Sequence, residues 1–340
     1  MSTWLLTGGA GFIGSNYAAR LLARGETVIL FDNLSRGGSR VNLQWLQEEH
    51  TGGQLEFVAG DVRDQAALRE LLPRAEVVVH LAAQVAVTNS VVSPREDFEI
   101  NALGTLNVLE AARDAGHNPV VLYASTNKVY GALEQVPMRS LQTRFSFAPG
   151  HPGIDEQQPL DFHSPYGCSK GCGDQYVRDY NRIYGLPTVV LRQSCIYGPR
   201  QFGIEEQGWL AWLIIAALHA RPISIYGDGR QVRDVLHVED LLDVYDAAVA
   251  QIDVAAGEVF NVGGGPKNSI AVWSEFGPLL EQRFGRPIPV QYGKQRKGDQ
   301  PVYISDIRKL DRLLGCAPRI GLEQGLDDLC SWIHDHAELL

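Results

Sequence analysis

The sequence predicts an α/β protein: a doubly wound parallel sheet with a second, smaller lobe toward the C-terminus. Three observations predict it. Short, almost continuously apolar runs alternate with amphipathic helical patterns from the first residues onward. Strands buried on both faces and joined by crossover helices read this way. A glycine cluster follows the first apolar run, and an aspartate closes the second. After Arg192 the alternation stops, and Gly, Pro, Arg and Trp punctuate shorter segments.

The elements follow in order. Residues 4–7 are the first strand and residues 12–24 the first helix. Residues 27–31 form the next strand and end at Asp32. The runs 55–59 and 77–81 are strands, followed by Asp61 and by Ala82-Ala83. Residues 94–115 carry one long helical period, and 120–124 is another strand. Residues 165–184 are helical, and 188–191 is a strand before Arg192. Farther on, 238–251 is an amphipathic helix and 258–262 a strand, a pair fit to rejoin the main sheet. The sheet domain is therefore expected over 1–192 plus 238–262, and the discontinuous C-terminal lobe over 193–237 plus 263–340. One stretch stands apart. Residues 131–164 are polar, hold Pro137, Pro149, Pro152 and Pro159, and show no period. A connection of that length inside a compact domain is a functional loop.

Composition narrows the class. The chain has 340 residues, 45% hydrophobic and 21% charged, enough for a sizeable core and too apolar for a disordered protein. The net charge of −10 argues against a general binder of nucleic acid or anionic membrane. A local basic pocket can still hold an anion. The five cysteines include no Cys-x-x-Cys pair, so neither a metal site nor a disulfide framework is expected. No leader or membrane-spanning segment is read from the N-terminus or elsewhere, and a reducing, cytoplasmic setting is expected.

Gly9-Ala10-Gly11-Phe12-Ile13-Gly14 fits G-x-G-x-x-G, and Gly8 extends it. Between a strand and a helix, such a loop lets a pyrophosphate approach the backbone and the helix N-terminus. Asp32 follows Gly14 by 18 residues, where a carboxylate bonds ribose hydroxyls and favours NAD over NADP. Arg36 nearby is the kind of residue that accepts a 2′-phosphate instead. Asp61 and Val62 stand where they would flank the adenine.

Tyr166 and Lys170 are four apart at the start of a helix, on one face. An ammonium near a phenol stabilises phenolate, so this tyrosine is expected to act as a base well below its usual pKa. Ser125 and Thr126 close a strand where a hydroxyl can reach a substrate oxygen. Cys168 and Cys172 lie on another side of that helix, as packing or subunit-contact residues.

These pieces together resemble the extended short-chain dehydrogenase/reductase family of nucleotide-sugar enzymes. The matching residues are Thr7 to Gly14, Asp32-Asn33, His80 to Ala83, Asn101 with Gly104-Thr105, Thr126 to Gly131, Tyr166 with Lys170, Tyr197 to Gln201, Arg233-Asp234, and Arg296 with Asp299. The resemblance implies a Rossmann-like fold with NAD on the N-terminal sheet and a nucleoside-diphosphate sugar under the C-terminal lobe. It assigns catalysis to Thr126, Tyr166 and Lys170. It gives NAD to Gly8, Gly11, Phe12, Ile13, Asp32, Asn33, Asp61, Val62, Leu81 and Ala83, together with Tyr166 and Lys170. It gives the sugar nucleotide to Gln84, Asn127, His163, Arg200, Arg233, Arg296 and Asp299, with Arg233 and Arg296 clamping the diphosphate. Many relatives carry Asn where this chain has Cys195, and relatives pair through two long helices, implying a homodimer or homotetramer.

Within the family, the segments at 125–131, 160–171 and 207–209 are similar to those of the CDP-sugar 2-epimerases. The family's 4,6-dehydratases place an Asp-Glu pair after the catalytic Thr, because eliminating water needs a paired acid and base. Here those positions are Asn127 and Lys128. The similarity therefore implies NAD-dependent epimerisation at C2 of a CDP-sugar. A UDP- or GDP-sugar epimerase acting at C2 or C4 stays open, as does a dinucleotide-binding protein without catalysis.

Overall fold

The computed structural model describes residues 2–295 and 299–340. Its centre is a seven-stranded parallel sheet in the order β12-β8-β5-β4-β1-β2-β3. The first half alternates as the apolar runs dictate: β1 (Thr3–Thr7), α1 (Phe12–Ala23), β2 (Thr27–Asp32), α2 (Gly37–Glu49), β3 (Leu55–Ala59), α3 (Gln65–Leu71) and β4 (Val77–His80). Chain order reverses between β1 and β4, so the loop after β1 lies at a topological switch point, where crevices for ligands open.

Residues 94–115 do not form one regular α-helix. α4 (Val87–Val92) and α5 (Pro94–Phe98) lead into a π-helical segment, Glu99–Leu103, before α6 (Gly104–Asp114) resumes. Strand β5 (Val120–Thr126) runs two residues past its apolar run. The polar stretch 131–164 is not structureless. It forms a hairpin of β6 (Met138–Ser140) and β7 (Phe145–Phe147), whose Phe147 packs in one apolar cluster with Val129, Tyr130, Val232 and Tyr303. Three-residue strands show too few positions for alternation to be read.

Helix α7 (Ser164–Tyr184) and β8 (Thr188–Gln193) complete this half. The chain then leaves the sheet through β9 (Cys195–Tyr197), α8 (Trp209–Leu218), β10 (Ile223–Tyr226) and β11 (Val232–His237). It returns through α9 (Val238–Ala250), α10 (Ile252–Ala255) and β12 (Val259–Val262), which pairs with β8. The remaining elements are β13 (Ser269–Ala271), α11 (Phe276–Phe284), β14 (Val290–Gly293), β15 (Val302–Tyr303), α12 (Arg308–Leu314) and α13 (Leu322–Asp335). Strand β11 pairs with β9, β13 and β15, while β10 pairs with β14. Apolar clusters cover both faces of the main sheet, and a third gathers α8, α11 and α13.

Candidate active site

A cleft of about 740 Å³ runs along the carboxyl ends of the sheet strands. Gly8, Gly11, Phe12 and Ile13 line it after β1, Asp32 and Asn33 after β2, and Asp61 and Val62 after β3. Leu81 and Ala83 line it after β4, and Thr126, Tyr166 and Lys170 close its floor. Ser194, Cys195, Arg200 and Trp209 form the wall contributed by the second lobe.

The glycine loop earns its composition sterically. A Cβ on Gly14 would stand 2.6 Å from Gly9 Cα, and one on Gly8, whose φ is +68°, 2.7 Å from Ala82 N. Gly11 caps α1 without a side-chain hydrogen bond. The first N–H groups of that helix therefore face the cleft uncapped, as a pyrophosphate requires. Asp32 also builds the loop it serves: it accepts from Ala10 N at 3.0 Å and Leu34 N at 2.7 Å. Burial pushes its carboxyl up, against those two backbone bonds. Asp61 takes Arg63 and Asn33, and the arginine leads in holding it down at about 2. A dinucleotide fits this set: amide donors, a glycine cradle and a carboxylate at the tip of β2.

Tyr166 and Lys170 are both buried. Burial is the largest influence on each. It carries the Tyr166 phenol up to about 12 against a hydrogen bond with Thr126, and drives Lys170 down to about 7 against the pull of Asp174 and Asp97. The expected depression of the tyrosine is thus absent in the protein alone, because desolvation disfavours both charged forms. Lys170 Nζ lies 4.2 Å from the centre of the Tyr123 ring. Thr126 Oγ1 accepts from Lys128 N at 3.2 Å. The neighbouring Ser125 also lines the cleft, with its hydroxyl proton donated to Asp174 at 2.6 Å.

A model of the NAD dependent epimerase/dehydratase family matches residues 4–263. The chain belongs to that family. NAD is its cofactor. The chain is 43% identical to a CDP-paratose 2-epimerase of Salmonella typhi, over 96% of this chain and 98% of that protein. It is 33% identical to a putative UDP-glucose 4-epimerase of Methanocaldococcus jannaschii, over 98% of each. Among solved structures it is similar to DesIV, a dTDP-glucose 4,6-dehydratase of Streptomyces venezuelae with NAD and TYD bound, at a TM-score of 0.85 and 31% identity over 99% and 98% of the two chains. It is likewise similar to the Thermotoga maritima UDP-glucose 4-epimerase with UDP-glucose, at 0.83 and 30% over 98% and 99%.

The residues that the family resemblance gave to the sugar nucleotide scatter more than the NAD set does. Arg200 lines the cleft and stacks on Trp45, its guanidinium carbon 3.1 Å from the ring centre. Arg233 spends Nη2 on Asp299 at 2.6 Å, and Lys128 Nζ stands 3.8 Å from the same carboxylate. Asn127 is buried beside Thr126, and His163 pairs with Asp161 at 3.0 Å. The Gln84 side chain donates to Asp97 at 2.8 Å and to the Ala86 carbonyl at 3.0 Å. Arg296 lies outside the described residues. Cys195 lines the cleft, and its sulfur accepts from Trp209 Nε1 at 3.4 Å. Sequence reasoning missed Asp97 and Asp174, which carry no local motif of their own.

Proposed function

We propose that this chain is a nucleotide-sugar 2-epimerase of the CDP-paratose to CDP-tyvelose type. One observation carries the reading. Among the described residues that line the cleft, the only side-chain carboxylates are Asp32 and Asp61, after β2 and β3, while Thr126, Tyr166 and Lys170 line it after β5 and on α7. Hydride chemistry needs only those three, whereas dehydration needs a further acid and base beside the sugar. The CDP-paratose 2-epimerase relative supports the choice of substrate.

Tyr166, as phenolate, takes the proton of the C2 hydroxyl while Thr126 shares that hydrogen bond. Gly8, Gly11 and Asp32 would hold NAD, which would supply the hydride acceptor and donor. Lys170 holds charge beside the phenol and bonds the nicotinamide ribose. Tyr166 would return the proton to the C2 oxygen of the resulting ketone, and the bound cofactor would supply the hydride to the opposite face, leaving the sugar inverted at C2 and the cofactor unchanged. Burial of the trio keeps water from the ketone. The diphosphate is assigned to Arg233 and Arg296, as the family resemblance implies. A second copy of the chain is the proposed partner, supported by exposed Val92, Phe98, Tyr176 and Ile183 on the helices around α7. The five free thiols support a cytoplasmic setting. No helix among the described residues is long and apolar enough to cross a membrane.

The test is a panel of CDP-, UDP- and GDP-sugars with product stereochemistry read by NMR. CDP-paratose is expected to invert at C2, and turnover confined to UDP- or GDP-sugars would overturn the substrate assignment. Run in deuterated water, the product should carry no deuterium at C2. Deuterium there would mean proton exchange beside a ketone and would sink direct hydride return. Tyr166→Phe is expected to lower kcat at least about a hundredfold with NAD still bound.

A further inference from the structure

The π-helical segment at Glu99–Leu103 and the start of α7 enclose a polar cluster beneath the catalytic pair. At its centre is Asp97, 0% exposed. Its Oδ1 accepts from Gln84 Nε2 at 2.8 Å and from Asn101 Nδ2 at 3.1 Å. Its Oδ2 accepts from Ser169 Oγ at 2.5 Å. Asn101 closes the ring: its Nδ2 also reaches Gln84 O at 2.9 Å and Ser169 Oγ at 3.1 Å, and its Oδ1 accepts from Gln84 N at 2.9 Å. Ser169 sits between the catalytic residues in sequence, with its Oγ 3.2 Å from the carbonyl of Tyr166.

Among the described residues, no Lys, Arg or His comes within ion-pair distance of Asp97. A buried carboxylate without a contact cation is expensive unless hydrogen bonds and a nearby charge offset it. The hydrogen bonds are the three above. The nearby charge is Lys170, whose ammonium form the Asp97 carboxylate favours.

We propose that Asp97 is a positioning residue for the Tyr166–Lys170 pair: through Ser169 it fixes the turn of α7 that carries both, and it sets a buried carboxylate in their surroundings. The inference rests on the catalytic reading of that pair given above. The groups facing Lys170 come from several elements. Asp97 on α5 and Asp174 on α7 both favour its charged form, the latter already paired with Arg192 of β8. Tyr123 of β5 offers its ring face, Tyr166 shares its helix, and buried His80 of β4 feels Lys170 as a destabilising charge and stays neutral. Two carboxylates thus oppose the burial of one ammonium, and Asp97 is the one without a cation of its own.

The experiment uses the NAD-loaded full chain and CDP-paratose. The Lys170 Nζ resonance, assigned with Lys170→Arg, is titrated by NMR. In Asp97→Asn its midpoint is expected to fall by about one pH unit, and the alkaline limb of kcat to fall with it. Ser169→Ala keeps the charge, so the midpoint stays while kcat drops roughly tenfold at every pH. Ser169→Thr, which keeps the hydroxyl, restores kcat. Folded Asp97→Asn with an unmoved Lys170 midpoint overturns the proposal. Where Asp97→Asn does not fold, Ser169→Ala decides: unchanged kcat overturns the proposal, and a tenfold loss rescued by Ser169→Thr upholds it. Full turnover by Tyr166→Phe would instead remove the catalytic reading, and the Lys170 midpoint would still judge Asp97.

Discussion

Arg192 and Asp174 meet in a bidentate pair, Nη2 to Oδ1 at 2.8 Å and Nε to Oδ2 at 2.9 Å, with side chains 3% and 0% exposed. Removing one partner of such a pair strands the other charge without water. Asp174→Asn is expected to cost about 3–5 kcal/mol of stability, read as a lower urea midpoint. His80 shows the converse design, a buried titratable group kept neutral between hydroxyls. Thr7 Oγ1 lies 2.7 Å from Nδ1 and Thr105 Oγ1 3.0 Å from Nε2. Burial, with Lys170, takes its pKa from 6.5 to about 3. Between those values the unfolded chain binds a proton that the folded chain refuses. His80 therefore supports the fold fully above pH 6.5 and loses that contribution as pH falls toward 3. In His80→Gln, urea titrations across this window should show a flatter fall in stability than in the parent. None of these partners is adjacent in sequence, so no local pattern announced them.

The loop between β1 and α1 was legible because its requirement is local: glycine fits where any Cβ meets backbone. Gly14→Ala places a methyl 2.6 Å from Gly9 Cα and 2.7 Å from two carbonyl oxygens. It is expected to release NAD on gel filtration while the far-ultraviolet spectrum stays close to the parent's. The helix over 94–115 was legible in extent and not in form. Its apolar period continues through Glu99–Leu103, yet the backbone widens there into a π turn. The Thr105 hydroxyl caps the Asn101 carbonyl at 2.6 Å, and the Asn101 side chain is held by Gln84, Asp97 and Ser169. Such turns cluster at functional sites, and this one carries Asn101 against α7, where it meets Ser169. The hairpin of β6 and β7 was not legible, because Phe145 and Phe147 gain their burial from the second lobe.

At the scale of the molecule, the acidic surface and the anion-binding cleft coexist because they are built differently. The cleft relies on helix amides and a few arginines, while the net charge of −10 is spread over the exterior. The proposed pairing of two copies belongs to this scale too. Ile183→Glu and Phe98→Glu, both at exposed apolar positions, should shift the mass measured by light scattering to that of one chain. An unchanged mass would place the contact elsewhere.

The sequence by itself determined the alternating sheet, the glycine loop and the four-residue spacing of Tyr166 and Lys170. Each depends on neighbours a few residues away, and backbone geometry converts spacing directly into position. The tertiary structure alone decided which polar groups remain free to act. Asp32 and Thr126 are placed by the ends of their strands, whereas the Ser125 hydroxyl and the Gln84 amide are engaged by Asp174 and Asp97. The physical reason is that a buried polar group must find a partner, and that partner is supplied by whichever distant element the fold packs against it.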